Sequence, residues 1–266
     1  MELLVCIKQV PDTSEIKLDP ETNTLIRTGL PSIVNPFDLN ALEAALEVKD
    51  ANPGARITVI TMGPPQAQIA LRECLSMGAD EAYLITDRAF AGADTLATSY
   101  TIACAIKKLQ QDQGHPFDII FCGKQAIDGD TAQVGPQIAE ELGIPQVTYV
   151  CGIEVTGDTV KTKREHEAGF EVLETTMPLL VTAVKSLNIP RYPQLIYSIR
   201  ANRYDIGMLT VKDLDVDPTR LGLQGSPTRV RKVYQPPLRA AGTVWQEPPQ
   251  EAVGKLIDAL VAKEVL

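Results

Sequence analysis

Four short apolar runs, three of them separated from the next by a segment of helical spacing, constrain this chain more than any other feature. Leu3-Leu4-Val5-Cys6-Ile7, Ile57–Thr61, Ala82–Ile85 and residues 117–122 read as strands. The helical segments follow Asn35 through about Lys49, carry Ile69, Leu71 and Leu75, and span residues 93–112. Near-continuous apolar strands are buried on both faces, and strands that alternate with helices imply a parallel sheet covered on both sides. The expected fold class is therefore α/β, a doubly wound, mostly parallel sheet. Ligands in such sheets bind beyond the carboxyl ends of the strands. Those ends are Cys6–Asp12, Met62–Gly63 and Gly123–Thr131, with Asn35–Asp38 opening a helix nearby.

The fourth strand enters the most informative stretch, FDIIFCGKQAIDGDTAQVGP at 117–136. Gly123 ends the strand. Pro136 fits only the first turn of a helix, because deeper inside its ring meets the carbonyl four residues back. The helix is expected to begin near Ala132, with Asp130 or Thr131 as its cap. First-turn N–H groups lack partners and the helix dipole adds partial positive charge, which suits a phosphate. Asp128 and Asp130 would repel a diphosphate set against them. They are expected to face ribose hydroxyls, caps or the sheet, leaving the amides of Gly129 to Val134 for the anion. The same spacing also describes an ordinary capped strand-to-helix turn, and it is neither GxGxxG nor GxxxxGK[ST].

Other function classes are excluded by composition. A formal charge of −9 over 266 residues disfavours nucleic acid, which requires a basic footprint. No apolar run approaches the length of a bilayer span. The chain starts directly into a strand without a secretory n-region, so a cytoplasmic location is expected, with no membrane insertion. Five cysteines, at 6, 74, 104, 122 and 151, lie in no CxxC pair, which argues against a zinc or iron–sulfur site. His115 and His166 fall in polar stretches, and no Ser/His/Asp or Cys/His arrangement is apparent.

Residues 14–27 read as a hairpin excursion. From 146 to 185 short β-type runs follow without helices (Val147–Val150, Thr159–Lys163, Phe170–Leu173, Leu179–Val184), expected as antiparallel strands laid on a sheet edge. From about Asp213 the prolines at 218, 227, 236, 237, 248 and 249 suggest an extended arm. A last helix carries Val253, Leu256, Ile257, Leu260 and Val261 at helical spacing, to cover either the chain's own sheet or a second chain. The expected division is 1–212 and 213–266.

GKQAIDGDTAQVGP resembles the nucleotide-binding motif of electron transfer flavoprotein β subunits. The strand-one loop VCIKQV, the NPF turn, the strand-two end before Gly-Pro and the segment Met177–Thr182 resemble the same family in the same order. The resemblance implies a Rossmann-like, adenine-nucleotide-binding sheet. It places contacts at Cys6, Asn35, Pro36, Phe37, Asp38, Met62 and the run Gly123, Lys124, Gln125, Ala126, Ile127, Asp128, Gly129, Asp130, Thr131, Ala132, Gln133 and Val134. It also implies a partner-docking segment near 187–199 that carries Arg191, Tyr192 and Leu195. Against this stands a helix begun by Pro193 whose Leu195, Ile196 and Ile199 belong to the protein's own core.

The resemblance further implies a heterodimer with an α subunit that carries a flavin. Plain members hold AMP in the β subunit, and electron-bifurcating members hold FAD. Where plain members commonly have three acids, Asp128-Gly129-Asp130-Thr131-Ala132 looks like the bifurcating form. That form implies NADH as donor, with ferredoxin and a flavin-containing dehydrogenase as acceptors. No protein acid or base is needed for hydride transfer, so the catalytic list is empty. An ATP-using enzyme on a related sheet is the distant alternative, and its phosphate-gripping loops are missing from the sequence.

Overall fold

A computed structural model describes residues 1–12, 31–231 and 242–265. It divides into a unit of Met1–Arg231 and a second of Lys232–Leu266. The hairpin expected over 14–27 and the prolines at 236 and 237 lie outside the described residues.

The first unit is built on β1 (Glu2–Cys6), β4 (Arg56–Met62), β5 (Glu81–Ile85) and β6 (Ile119–Gly123). Between them run α1 (Pro36–Ala51), α2 (Gln68–Met77) and α3 (Thr95–Gln113), and α4 (Val134–Leu142) follows β6. A small antiparallel pair, β2 (Gln9–Pro11) and β3 (Ser32–Val34), stands apart. The rest comprises β7 (Gln146–Thr156), β8 (Thr159–His166), β9 (Gly169–Thr176), β10 (Leu179–Ala183), α5 (Leu195–Arg203) and β11 (Gly207–Leu209). The main sheet has the order β11-β5-β4-β1-β6-β10-β7-β8-β9 and is parallel from β11 to β7. This is the doubly wound α/β architecture, with antiparallel strands β8 and β9 at one edge.

Alternation along the strands explains the two layers of core. Leu3, Val5, Ile57, Val59, Ile119 and Phe121 share one cluster with the apolar residues of α1 and α2. Leu4, Ile60 and Ile120 share the other with those of α3 and α4. Each large side chain removed fully from water contributes roughly 1.5–3 kcal/mol. Helix ends follow local chemistry. Pro36 opens α1, the Asp94 carboxylate caps α3 by accepting the Leu96 and Ala97 N–H groups, and left-handed Gly114 and Gly143 end α3 and α4.

One expectation is corrected. Leu179–Val184 was expected among antiparallel edge strands, yet β10 lies parallel between β6 and β7. All five of its residues are buried, a pattern that suits an interior strand. The first compact unit runs through to Arg231. Residues 213–231 stay with the first unit through specific bonds: the Asp94 carboxylate accepts from Thr228 N at 3.0 Å and the Tyr100 hydroxyl accepts from Asp217 N at 2.7 Å. Arg220 also pairs with Glu141 and lies over the Tyr100 ring. In the second unit, α6 (Pro249–Ala262) begins at its proline as expected. No helix among the described residues is long and apolar enough to cross a membrane.

Candidate functional site

From β1 the chain proceeds outward through β4 and β5, then crosses to β6 on the other side of β1, with β10 beyond it. The topological switch point is therefore between β1 and β6, where a crevice opens at the strand ends. Cys6 and Cys122 are neighbours there in the parallel register.

Three segments meet at this crevice, with α1 as the clamp. Asn35, 1 % exposed, donates its amide to Gln125 O at 2.8 Å and accepts the Ile127 N–H at 3.1 Å. One side chain thus holds the loop after β6 at both faces of a peptide pair. Asp38 accepts the Lys8 N–H at 2.7 Å, and Asn35 N donates to Lys8 O at 2.9 Å. Asp38 is 6 % exposed. Burial pushes its carboxyl up to about 7, against the Asn35 side chain, the N–H groups of Lys8 and Gly123, and the Lys8 charge, which favour the ionised form.

Gly123 is the point of closest approach. A Cβ there would stand 2.2 Å from Asp38 Oδ1 and 2.8 Å from both Asp38 N and the Phe37 carbonyl carbon. Gly135 is nearly as tight, since a Cβ would lie 2.7 Å from Thr182 Cγ2. These glycines let α1 and α4 press onto the sheet ends.

The loop beyond Gly123 is shaped for something other than its own packing. Asp130 and Ala132 both adopt left-handed backbone, with φ of 51° and 53°, a conformation that non-glycine residues hold at some cost and that concentrates at functional sites. Gly129 has open space around it, with no atom within 4 Å of a built Cβ. Among the described residues, the N–H groups of Thr131, Ala132, Gln133 and Val134 have no protein acceptor. The two loop acids are both engaged: Asp128 accepts from Lys8 Nζ at 2.6 Å and Asp130 from Gln125 Nε2 at 2.7 Å. Two further lysines stand at the same end of the sheet, Lys124 over the Tyr149 ring and Lys185 over the Phe37 ring.

Neither Asp130 nor Thr131 caps α4, which starts at Val134 after Gln133 with no side-chain cap. The two left-handed residues delay the helix beyond the expected Ala132. This leaves the N-terminal amides and the dipole end unmet by protein, the chemistry a phosphate requires. The residues present therefore fit a phosphate group. The Cys122 thiol is pushed up by its hydrogen bond with Cys6 and by burial, so it supplies no thiolate. Met62 ends β4, beside β1, and packs against the core on the α3 and α4 side. Pro36 and Phe37 form the first turn of α1.

The docking candidates separate into two kinds. Tyr192 is 90 % exposed and Leu195 is 78 % exposed, with Ile189, Ile196 and Ile199 also exposed. The reading that placed Leu195, Ile196 and Ile199 in the core is thus not what the fold does. Arg191 instead turns inward, its Nε and Nη2 donating to the Glu43 carboxylate at 2.9–3.0 Å and Nη2 to Asp50 at 2.9 Å. Sequence reasoning missed Lys8, whose signal was its place in VCIKQV at the end of a buried strand. It also missed Glu43, an acid set within the buried run of α1.

The chain matches the model of the electron transfer flavoprotein domain over residues 22–209. It is 54% identical over 270 residues to the electron transfer flavoprotein subunit beta of Megasphaera elsdenii, with 100% of both chains covered. It is 49% identical over 267 residues to subunit CarD of the caffeyl-CoA reductase-Etf complex of Acetobacterium woodii, again with 100% of each covered. To protein FixA of Bradyrhizobium diazoefficiens it is 47% identical over 264 residues, covering 98% of this chain and 91% of the relative.

Proposed function

We propose, because this chain belongs to the electron transfer flavoprotein family as a β subunit, that it holds FAD at the β1/β6 crevice. In this reading it works as the β half of an electron-bifurcating heterodimer in the cytoplasm. The observation that carries the nucleotide site is the loop from Gly123 to Val134, with its left-handed Asp130 and Ala132 and the open amides that lead into α4. The preference for FAD over AMP rests on Asp128-Gly129-Asp130-Thr131-Ala132, whose small residues give a diphosphate close access to backbone.

When bound, the flavin supplies acceptance of a hydride from NADH and delivery of single electrons, one toward ferredoxin and one toward the α-subunit flavin and a dehydrogenase. The chain's own residues hold and orient. The amides of Thr131 to Val134 receive phosphate, Lys8 neutralises Asp128 beside it, and Asn35 keeps the loop from swinging out. Cys6, Pro36, Phe37 and Met62 line the adjoining strand and helix ends. Tyr192 and Leu195 present exposed side chains to the dehydrogenase, as partner docking centres on such anchors. The arm and C-terminal helix over 213–266 serve contact with the α subunit. That CarD is named as a subunit of a reductase complex supports an assembly of this kind.

Acid release and chromatography of the purified heterodimer test the reading. Two FAD per heterodimer are expected, followed by NADH-dependent reduction of ferredoxin. One FAD with one AMP would leave a plain electron carrier and end the bifurcation reading.

A further inference from the structure

The segment 187–194 is tied to α1 by a set of bonds more extensive than a surface loop requires. Asn40 Nδ2 donates to Asn188 O at 2.9 Å and to Asn188 Oδ1 at 3.0 Å, and Asn188 Nδ2 donates back to Asn40 O at 3.0 Å. One turn further along α1, the Glu43 carboxylate accepts the Arg191 backbone N–H at 2.9 Å as well as its guanidinium. Glu43 is 5 % exposed. The Glu43 and Asp50 carboxylates hold the guanidinium above its ordinary value. A buried carboxylate with a bidentate partner is geometrically demanding, and removal of either member leaves the other unmatched. Such a pair fixes position.

The same helix carries the nucleotide-loop clamp at its first turn. Asn35 and Glu43 are separated by about 12 Å of helical rise, with little freedom between them. We infer that α1 sets the docking segment in fixed relation to the nucleotide loop, and that Glu43 is a positioning residue for the partner dehydrogenase, acting through Arg191. Arg191 is then an internal anchor and makes no contact with the partner. Its flanking residues Ile189 and Tyr192, both turned to solvent, are what the anchor presents. This rests on the reading of 187–199 as a docking segment.

Measurements on the purified heterodimer test it, with a flavin-containing dehydrogenase that the wild-type heterodimer reduces as acceptor. Glu43→Gln should speed amide hydrogen exchange across 187–194 about tenfold while exchange across 123–134 and the bound nucleotide content stay at wild-type values. It should raise KM for the dehydrogenase about tenfold and leave NADH-dependent dye reduction unchanged. Arg191→Lys, which keeps charge but loses the fork, should behave alike. In the double-mutant cycle, Glu43→Gln with Arg191→Lys should cost no more than either change alone. Additive losses, or a KM raised by Arg191→Lys but not by Glu43→Gln, would mean that Arg191 touches the partner and would overturn the inference. Tyr192→Ala and Leu195→Ala separate this from failure of the docking reading itself. If both leave KM unchanged, the segment does not dock and the inference falls with it. If they raise KM while Glu43→Gln does not, only the positioning role fails.

Discussion

Gly123→Ala is expected to destabilise the protein by about 3 kcal/mol or more, at the upper end of overpacking effects, and, on the proposed nucleotide reading, to strip the nucleotide from the heterodimer. The added methyl would meet Asp38 Oδ1 at 2.2 Å, but that oxygen alone does not decide the outcome. The backbone N of Asp38 and the carbonyl carbon of Phe37, each at 2.8 Å, belong to the first turn of α1 and cannot move without it. Relief therefore requires α1 to lift from the end of β6. Asn35 then loses its hold on Gln125 and Ile127, and the loop loses its shape. Denaturant midpoints and nucleotide content measure both consequences. A variant within about 0.5 kcal/mol of wild type that retains its nucleotide would show that the close approach does not govern the site.

Asp38 leads to the second large effect. Its folded-state value, about 7, lies above the ordinary 3.8 because burial opposes ionisation. Between these values the folded protein keeps a proton that the unfolded chain has lost. The unfolding free energy contributed by this group consequently decreases as pH rises, in the sense opposite to a salt-bridged carboxylate. The contribution is fully present below about pH 4 and gone above about pH 7. At 1.36 kcal/mol per pH unit its span is on the order of 4 kcal/mol. Other carboxylates act in the opposite direction: backbone N–H groups of Ala89 and Val211 hold Asp87 below the usual range, and against burial the bonds from Ala97, Thr228 and Leu96 hold Asp94 below it too. The measurement is therefore the difference between wild type and Asp38→Asn, by chemical denaturation across pH 4 to 8. The stability of wild type relative to the variant should fall by on the order of 4 kcal/mol across that range. A flat difference would place the carboxyl in a far more hydrated setting.

Much of the fold was legible because burial leaves a simple signature. Leu3–Val5 and Ile119–Phe121 are apolar at every position, and only an interior parallel strand puts both their faces out of water. The same signature was present in Leu179–Val184, where it was outweighed by neighbouring runs that alternate. Strand order in space is set by crossover packing, and a run's position in the chain is a poor guide to it. Within the site, Asn35, Asp38 and the loop after Gly123 come together as their places at strand and helix ends suggested. The late start of α4 was hidden, because Asp130 and Ala132 carry no mark of left-handed backbone as glycine would. The pairing of Glu43 with Arg191 was hidden differently: the two are 148 residues apart, and local spacing says nothing about partners at that range.

Strand β7 joins two kinds of ladder. Near Gln146 and Val147 it runs parallel to β10, and from Val150 to Thr156 it pairs antiparallel with β8. In sheet order, β8 and β9 reach the parallel strands only through it. The length of this outer ribbon is therefore uncoupled from the spacing at the β1/β6 crevice. Residues added in pairs at the Glu167–Ala168 turn would extend the ribbon and leave each side chain on its face, whereas an odd insertion would be taken up in a longer turn or a bulge. Relatives can thus diverge in reach along this edge while the crevice keeps its dimensions.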